Sequence, residues 1–276
     1  MSADLDIRSR LALAEAVARQ AGDLAKDYFD RRGTLRIEAK RTLQDMVSEA
    51  DREVENVIRA ALSEAFPDDA QLGEEHGLTP GTSGLTWVID PIDGTAPFLA
   101  GLPGWCVCIG ACDNAGPVIG VIHAPVLGET FVAARGGEAT LNGDVIHVTD
   151  RFDLTTGLLG IGANDRVPHA RVGEMLAALM AAGANWTRYG SGALMLAWVA
   201  AGRLVGYVEP RMSAWDCMAA YCLIEAAGGR VLSFPQGEAM LRPAPVLGAS
   251  RHCYDQILTL SRLSDDAVWG DREDHR

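Results

Sequence analysis

Residues 90–95, with the sequence Asp-Pro-Ile-Asp-Gly-Thr, place two carboxylates directly after the apolar run at residues 87–89. Because a buried strand is predicted to end there, Asp90 and Asp93 can converge on one cation. Carboxylate oxygens suit hard cations, above all Mg²⁺, which is usually completed by waters and a substrate phosphate. A helix beginning near Thr95 would turn backbone N–H groups and the positive end of its dipole toward that phosphate. The segment therefore predicts a site for a metal and a phosphate group.

Three further acidic residues occur where they can join this site. Glu74 lies in a Gly-Glu-Glu sequence, Asp51 lies in the first turn of a predicted helix, and Asp216 opens an apolar segment. Two of them have ordinary structural interpretations, since Asp51 can complement a helix dipole and Asp216 can cap a helix. Asp90 and Asp93 are harder to explain in that way, because paired carboxylates at a buried strand end repel each other unless a cation lies between them.

The order of these segments along the chain resembles the inositol monophosphatase family. The matching segments are residues 45–51, 73–75, 90–95 and 215–216, followed by Ala-Ala-Gly-Gly at 226–229. Any one of them is weakly specific, but together they extend the resemblance over nearly the whole chain. The resemblance implies a layered α/β/α/β/α sandwich, a Mg²⁺-dependent phosphomonoesterase activity and a homodimer.

The resemblance also implies a set of metal ligands. It makes Glu74, Asp90 and the backbone carbonyl of Ile92 the ligands of a first Mg²⁺. Asp90, Asp93 and Asp216 would hold a second ion, so that Asp90 bridges the two. Two cations suit a phosphate monoester, because one can activate water while the other stabilises the alkoxide leaving group.

Other residues are implied to act on the water and the phosphate. Glu74 and Thr95 would orient the attacking water, and the backbone amides of Gly94 and Thr95 would bind phosphate oxygens. Asp51 matches a position that orients the site or holds a weaker third ion through water. Lys40 matches a lysine on a mobile loop near the site. This chemistry requires neither a Ser-His-Asp set nor a catalytic cysteine.

The substrate is expected to contact residues of the second half of the chain. Residues 189–193, which include Gly190 and Ser191, resemble the part of the family that lines the substrate alcohol. Glu209 falls where inositol phosphatases place a carboxylate that hydrogen-bonds a hydroxyl. These residues favour a polyol phosphate, with inositol-1-phosphate as the first choice.

Alternative substrates follow from departures within the same segments. Glu209-Pro210 and residues 97–103 also resemble the histidinol-phosphatase branch, and Ala-Pro at 96–97 replaces the Thr-Asn of many inositol phosphatases. Adenosine bisphosphate and fructose bisphosphate are minor alternatives, because no basic residues for a second phosphate are identified. A non-catalytic, regulatory member of the family is the competing class of function.

The elements that must position these residues differ between the two halves of the chain. Apolar residues recur at three- and four-residue intervals over 7–28 and 54–65, which predicts two helices. Strands are predicted at 87–90, 105–113, 117–123 and 130–134, with a hairpin turn at Asn142-Gly143. Residues 1–150 are therefore expected to form an α+β half that carries most of the metal ligands.

After about residue 150, helix and strand alternate along the chain. Helices are predicted at 172–180, 191–200 and 216–227, and strands at 204–208 and 230–232. Residues 151–276 are expected to form an α/β half that carries Asp216 and the substrate-lining residues. The active site would then lie between the two halves.

Composition excludes several classes of protein. The chain has 276 residues, 48% of them hydrophobic, and a net charge of −13 without a basic stretch. Nucleic acid is therefore not an expected partner. Neither a transmembrane run nor a secretory signal is recognised, so a cytoplasmic location away from membranes is expected.

The cysteines and histidines lack the spacing of metal motifs. Cys106, Cys108 and Cys112 fall on one face of a predicted strand, but a soft-metal site there would lack a fourth ligand. All six cysteines are therefore expected to be buried free thiols in a reducing compartment. The six histidines are interpreted as surface or structural residues, with His76 the strongest exception because it adjoins Glu75.

Overall fold

The computed structural model describes residues 3–34, 37–39 and 46–264. Lys40, predicted to contribute from a loop, lies outside these residues. Seven α-helices occur in the described part: α1 Ala3–Asp30, α2 Glu49–Ala65, α3 Thr95–Ala100, α4 His169–Ala181, α5 Gly192–Ala200, α6 Met218–Ala226 and α7 Arg251–Ser261. None of these described helices combines the length and the apolar character needed to cross a membrane.

The first large sheet contains the end of the strand at which the acidic segment lies. A separate hairpin, β1 Ile37–Ala39 with β2 Met46–Ser48, precedes it. The sheet has the order β10-β9-β8-β7-β6-β5-β3-β4 and consists of β3 Ala70–Gly73, β4 Gly77–Thr79, β5 Thr86–Asp93, β6 Cys106–Asp113, β7 Gly116–Ala124, β8 Glu129–Ala134, β9 Thr140–Leu141 and β10 Asp144–Val145. Only β3 and β5 pair in parallel among these described strands. The predicted hairpin turn is confirmed, since Asn142 and Gly143 have φ values of 52° and 90°.

The second large sheet is mixed. Its order is β12-β11-β13-β15-β14, with β11 Leu158–Ile161, β12 Asn185–Thr187, β13 Gly206–Met212, β14 Arg230–Val231 and β15 Ala244–Ala249. The strand β11 runs parallel to β12 and β13, whereas β15 runs antiparallel to β13 and β14. The first sheet ends at Val145 and the second begins at Leu158. The division of the chain at residue 150 stays a prediction.

Five layers follow from how the two sheets bury their faces. Trp87 and Ile89 pack in one core with α1 and α2, whereas the intervening Val88 packs in a second core with α5 and α6. The second sheet contributes to this central core and, on its other face, packs against α4 and α7. The expected α/β/α/β/α sandwich is therefore confirmed.

Close packing in the central layer depends on glycine. A Cβ atom built on Gly120 of β7 would lie 2.0 Å from the backbone oxygen of Ala219 in α6. A larger residue would push α6 off the sheet, because backbone cannot give way as a flexible side chain can. The turn that precedes α6 carries Asp216, so this contact helps to set the depth of that residue.

Some element boundaries differ from the sequence-based expectations. The helix predicted over 216–227 is divided, because Ala214–Asp216 form a 3-10 turn and α6 starts two residues later, at Met218. The strand predicted at 204–208 begins at Gly206 and extends to Met212. Strands β3 and β15 and helix α7 were not predicted; the strands are short segments whose pairing depends on residues far away in the chain.

Candidate active site

The two predicted carboxylates lie at the carboxyl end of β5. Asp90 and Asp93 are 1% and 8% exposed, and the pairing of β5 with β6 shifts register between them. The Asp90 carboxylate accepts a hydrogen bond of 3.0 Å from the backbone N–H of Ile92. Such a bulge re-aims side chains, and both residues line the same cleft.

Helix α5 holds Asp93 from the other half of the chain. Oδ2 of Asp93 accepts hydrogen bonds from the Ser191 hydroxyl, at 2.5 Å, and from the Ala193 N–H, at 2.8 Å. Ser191, the first residue of the helix predicted over 191–200, is the N-cap of α5 and also accepts from the Leu194 N–H. Its expected contact with substrate stays a prediction, whereas its hydroxyl positions a carboxylate 98 residues away.

A third carboxylate reaches the same place from the 3-10 turn. Capping of α6 was one interpretation of Asp216, but the N-cap of that helix is Cys217. Oδ2 of Asp216 instead accepts from the Ser213 N–H at 3.1 Å within the turn. Carboxylate oxygens of Asp90, Asp93 and Asp216 all lie within 4.8 Å of one another. These three acids, hereafter the carboxylate group, could hold a metal ion.

The electrostatics of the carboxylate group disfavour three negative charges. Burial, and then the neighbouring acids Glu74 and Asp93, raise the pKa of Asp90 well above its usual value. Burial and the charge of Asp93 likewise raise the pKa of Asp216. Burial raises the pKa of Asp93 to about 6, against hydrogen bonds that lower it. A bound cation would compensate for the desolvation and repulsion that cause these shifts.

Thr95 connects this group to the first turn of α2. Its hydroxyl lies 3.4 Å from Oδ1 of the buried Asp51 and 3.3 Å from the carbonyl oxygen of Ile92, either of which it can donate to. The preceding Gly94 adopts φ 95°, and a Cβ there would lie 2.9 Å from the Gly104 oxygen. The sequence requirement for glycine thus has a steric cause at the edge of the cleft.

Glu74 lines the same cleft and follows the end of β3. Its segment is supported by Glu55, a fully buried residue of α2 that sequence reasoning missed. Glu55 accepts from the backbone N–H of Glu75 at 2.7 Å and of His76 at 3.2 Å, and forms an ion pair with Arg59. His76 therefore contacts this supporting carboxylate through its ring as well, at 3.2 Å.

The cleft has a volume of about 380 Å³ and draws its walls from both halves of the chain. Glu209, on β13, accepts a hydrogen bond from the Tyr207 hydroxyl at 2.5 Å and from the Asn164 side-chain amide at 3.3 Å. Burial raises its pKa to about 7. Gly190 also lines the cleft, where a Cβ would lie 2.8 Å from a ring carbon of Pro97.

Basic residues line the same cleft, which corrects the expectation that none could be identified. Arg166, Arg188 and Arg211 all lie in its walls, and Arg188 donates to the Ala163 carbonyl at 3.2 Å. Arg188 precedes Gly190 by two residues, and Arg211 follows Glu209 by two. That proximity to predicted substrate residues was the signal in the sequence that could have identified them.

Comparisons with known proteins agree with this arrangement. The profile described as "Inositol monophosphatase family" matches residues 6–264. The Nus factor SuhB of Xylella fastidiosa is 38% identical over 225 residues, covering 80% of this chain and 81% of that protein. An inositol-1-monophosphatase of Mesorhizobium japonicum is 36% identical, covering 86% and 90%, and a histidinol-phosphatase of Chlorobaculum parvum is 39% identical, covering 79% and 83%.

A solved structure shares the fold over nearly its whole length. The crystal structure of the extragenic suppressor protein suhB from Bartonella henselae has a TM-score of 0.82 at 30% sequence identity. The match covers 97% of this chain and 100% of that one. The similarity therefore extends over both halves of the chain.

Proposed function

Because this chain belongs to the inositol monophosphatase family, we propose that it is a Mg²⁺-dependent phosphomonoesterase acting on a small polyol phosphate. Inositol-1-phosphate is the first substrate to test, and histidinol phosphate is the alternative on the same scaffold. The observation that carries the proposal is the carboxylate group, whose oxygens lie within 4.8 Å of one another at the base of a cleft.

The chemistry of these donors fits a hard divalent cation. Asp90, Asp93 and Asp216 would hold one Mg²⁺, and Glu74, Asp90 and the carbonyl of Ile92 would hold another. These ligands are all oxygens, the donors that Mg²⁺ prefers. Bound there, Mg²⁺ would supply charge stabilisation to the phosphate and lower the pKa of a coordinated water.

Neighbouring residues would position water and phosphate. Thr95 is fixed between Asp51 and the carbonyl of Ile92, so its oxygen keeps one position beside the cleft. We assign Thr95 and Glu74 to orienting the attacking water, and the amides of Gly94 and Thr95 to binding phosphate oxygens. Asp51 then acts through Thr95, because it is buried behind that hydroxyl.

The far wall of the cleft supports a polyol over an amino alcohol. Glu209 is fixed by Tyr207 and can accept a hydrogen bond from a substrate hydroxyl. The guanidinium groups of Arg166, Arg188 and Arg211 outnumber the carboxyl groups of Asp165 and Glu209 in this wall, so its net charge is positive. Like charges repel, so the ammonium group of histidinol phosphate would be bound less well than a neutral ring of hydroxyls.

A kinetic panel tests the proposal. Phosphate release from inositol-1-phosphate and from histidinol phosphate is measured with Mg²⁺ and with excess chelator. We expect a higher kcat/KM for inositol-1-phosphate and loss of both activities in chelator. Hydrolysis that continues unchanged in chelator would contradict the metal mechanism, and preference for histidinol phosphate would reverse the substrate assignment.

A non-catalytic role is the second candidate, because some relatives are named Nus factor SuhB. Against it, the four acids expected to bind metal, Glu74, Asp90, Asp93 and Asp216, all line one cleft. If the folded protein hydrolyses neither phosphate ester at any Mg²⁺ concentration, the regulatory candidate is favoured. A homodimer remains a prediction from the family resemblance, and gel filtration with light scattering tests it.

A further inference from the structure

Two cysteine side chains lie directly beneath the carboxylate group. Cys106 and Cys108 alternate on β6 with residues that pack in the core formed with α1 and α2. Their own side chains point into the central core, where both are fully buried. Their sulfur atoms are 3.6 Å apart. Neither thiol has a role in the phosphatase chemistry proposed above, which uses oxygen ligands alone.

Residues distant in sequence complete a set of four donor atoms. The Cys106 sulfur lies 3.9 Å from Oδ2 of Asp93 and 3.6 Å from the hydroxyl oxygen of Ser191. Donor atoms of Asp93, Cys106 and Cys108 lie within 4.8 Å of one another. The fourth ligand, which the cysteine spacing alone did not provide, is thus available from the N-cap of α5.

The spacing of these atoms suits a tetrahedral thiophilic cation. Two sulfur ligands about 2.3 Å from Zn²⁺ lie about 3.8 Å apart, and a sulfur and an oxygen ligand lie slightly closer. The separations around the Cys106 sulfur, 3.6–3.9 Å, are near those edges. The oxygens of Asp93 and Ser191, 2.5 Å apart in a hydrogen bond, would have to separate when the ion enters. We propose that Cys106, Cys108, Asp93 and Ser191 form a second metal site, specific for a soft divalent cation such as Zn²⁺ or Cd²⁺.

Binding would exchange protons for the cation. Burial raises the pKa of both thiols, so they are neutral and unreactive without a soft metal. When the cation enters, each sulfur forms a bond to it and each thiol proton leaves to solvent, because a coordinating thiol is deprotonated. The Ser191 hydroxyl gives up its hydrogen bond to Asp93 and supplies its oxygen as the fourth ligand.

Asp93 belongs to both sites, which couples them. Asp93 and Ser191 line the cleft and also contact the buried Cys106 thiol, so a cation would enter the site from this side. A soft cation bound to Oδ2 of Asp93 would withdraw that residue from the carboxylate group and lower the affinity of the group for Mg²⁺. The consequence is inhibition by Zn²⁺ that excess Mg²⁺ only partly reverses; this consequence, unlike binding itself, rests on the proposed phosphatase function.

Binding is tested with Cd²⁺ and no substrate. Titration of the metal-free protein should produce the ultraviolet sulfur-to-cadmium charge-transfer absorption at one equivalent per chain. The Cys106→Ser/Cys108→Ser variant should lose this band, and each single variant should weaken Cd²⁺ binding about tenfold or more. Absence of the band in the wild-type protein, or its persistence in the double variant, would overturn the proposal.

The matched control is Cys112→Ser, on the same strand. Cys112 is buried near Cys222, and within the part of the chain that the structure describes this pair belongs to no group of three donors close enough to share a metal ion. This control should keep the band; its loss would place the metal at Cys112 instead. If the double serine variant does not fold, as judged by circular dichroism, Cys106→Ala and Cys108→Ala singly replace it, because alanine adds no buried hydroxyl.

Inhibition is measured separately. The Zn²⁺ concentration that halves phosphate release is compared between the wild-type protein and each cysteine variant, relative to each protein's own uninhibited rate. We expect an increase of about tenfold or more in the cysteine variants. A charge-transfer band without any change in inhibition would refute the coupling through Asp93 but leave the metal site itself standing. A protein without phosphatase activity would still give the Cd²⁺ result.

Discussion

Buried carboxylates in opposite electrostatic states lie beside the two ends of β5. Near the start of the strand, Asp69 accepts two hydrogen bonds of 2.9 Å from the Arg10 guanidinium and one of 3.0 Å from the Trp87 indole. Burial raises the pKa of Asp69, but hydrogen bonds from Arg10, Ser83 and Trp87 outweigh that effect and lower it. At the other end, burial and neighbouring acids raise the pKa of Asp90.

The difference separates structural acids from functional ones. Asp69 receives its counter-charge from Arg10 of the same chain, so this end of the strand requires no bound cation. The carboxylate group receives hydrogen bonds from backbone and hydroxyl groups, yet its acids still raise one another's pKa. Burial of an acid is common to both ends, and the nature of its partner is what points to function.

The largest expected effect concerns the carboxylate group. Asp90→Asn should lower kcat by about a thousandfold, because it removes a shared metal ligand while keeping the size of the side chain. Phosphate release at saturating Mg²⁺ measures the effect. Asp113→Asn, at a partly exposed acid on β6 that does not line the cleft, is the control and should change kcat less than about twofold. Retention of near-normal turnover by Asp90→Asn would remove the distinction between the two ends of β5.

Breaking the other end should affect stability and leave catalysis intact. Arg10→Met should lower the free energy of unfolding by about 4 kcal/mol, since it leaves a buried carboxylate without its ion-pair partner. Urea denaturation measures the loss. Asp69→Asn added to Arg10→Met should recover part of it, because the unpaired charge is then gone. A fall in kcat of the folded Arg10→Met protein would contradict a purely structural role.

The two ends should also respond oppositely to pH in metal-free protein. The pKa of Asp93 is raised to about 6, so its contribution to stability is present below the unfolded pKa and is lost as pH rises through about 6. Relative to Asp93→Asn, the free energy of unfolding of the wild-type protein should fall by up to about 3 kcal/mol between pH 4 and 7. Urea denaturation across this range gives the difference, and a flat difference would contradict the assigned cause.

For Asp69 the sign is reversed. Its pKa is lowered, so its contribution is present above the unfolded pKa and is lost as pH falls through the folded value. The stability difference between the wild-type protein and Asp69→Asn should therefore shrink in acid. Growth of that difference in acid would show that Asp69 lacks its proposed stabilising charge.

The smallest expected effect concerns Glu209, whose pKa is raised to about 7 by burial. Glu209→Gln should lower kcat/KM for inositol-1-phosphate about fivefold at pH 8, because the ionised form accepts a stronger hydrogen bond from a hydroxyl. At pH 6, where the carboxyl is mostly protonated, the loss should be smaller. The control is Glu238→Gln, at an exposed position. An equal loss for Glu209→Gln at both pH values would show that its effect does not depend on ionisation of the Glu209 carboxyl group.

Several predictions succeeded because they depended on local sequence. Helices α1 and α2 follow apolar periodicity, and α3 follows directly after the acidic segment. The turn at Asn142-Gly143 is specified by two residues alone. Strands β3 and β15 could not be found in this way, because each is short and is stabilised by neighbours brought together only on folding.

The sequence by itself determined which side chains could do chemistry: the acids at 51, 74, 90, 93 and 216, in an order that identifies the family. Only the tertiary structure decided what surrounds them. It placed Ser191 on Asp93, brought Cys106 beside both, and lined the cleft with arginines. The reason is physical: side-chain type and local backbone preference are written along the chain, whereas burial, charge proximity and donor spacing arise when segments about a hundred residues apart pack together.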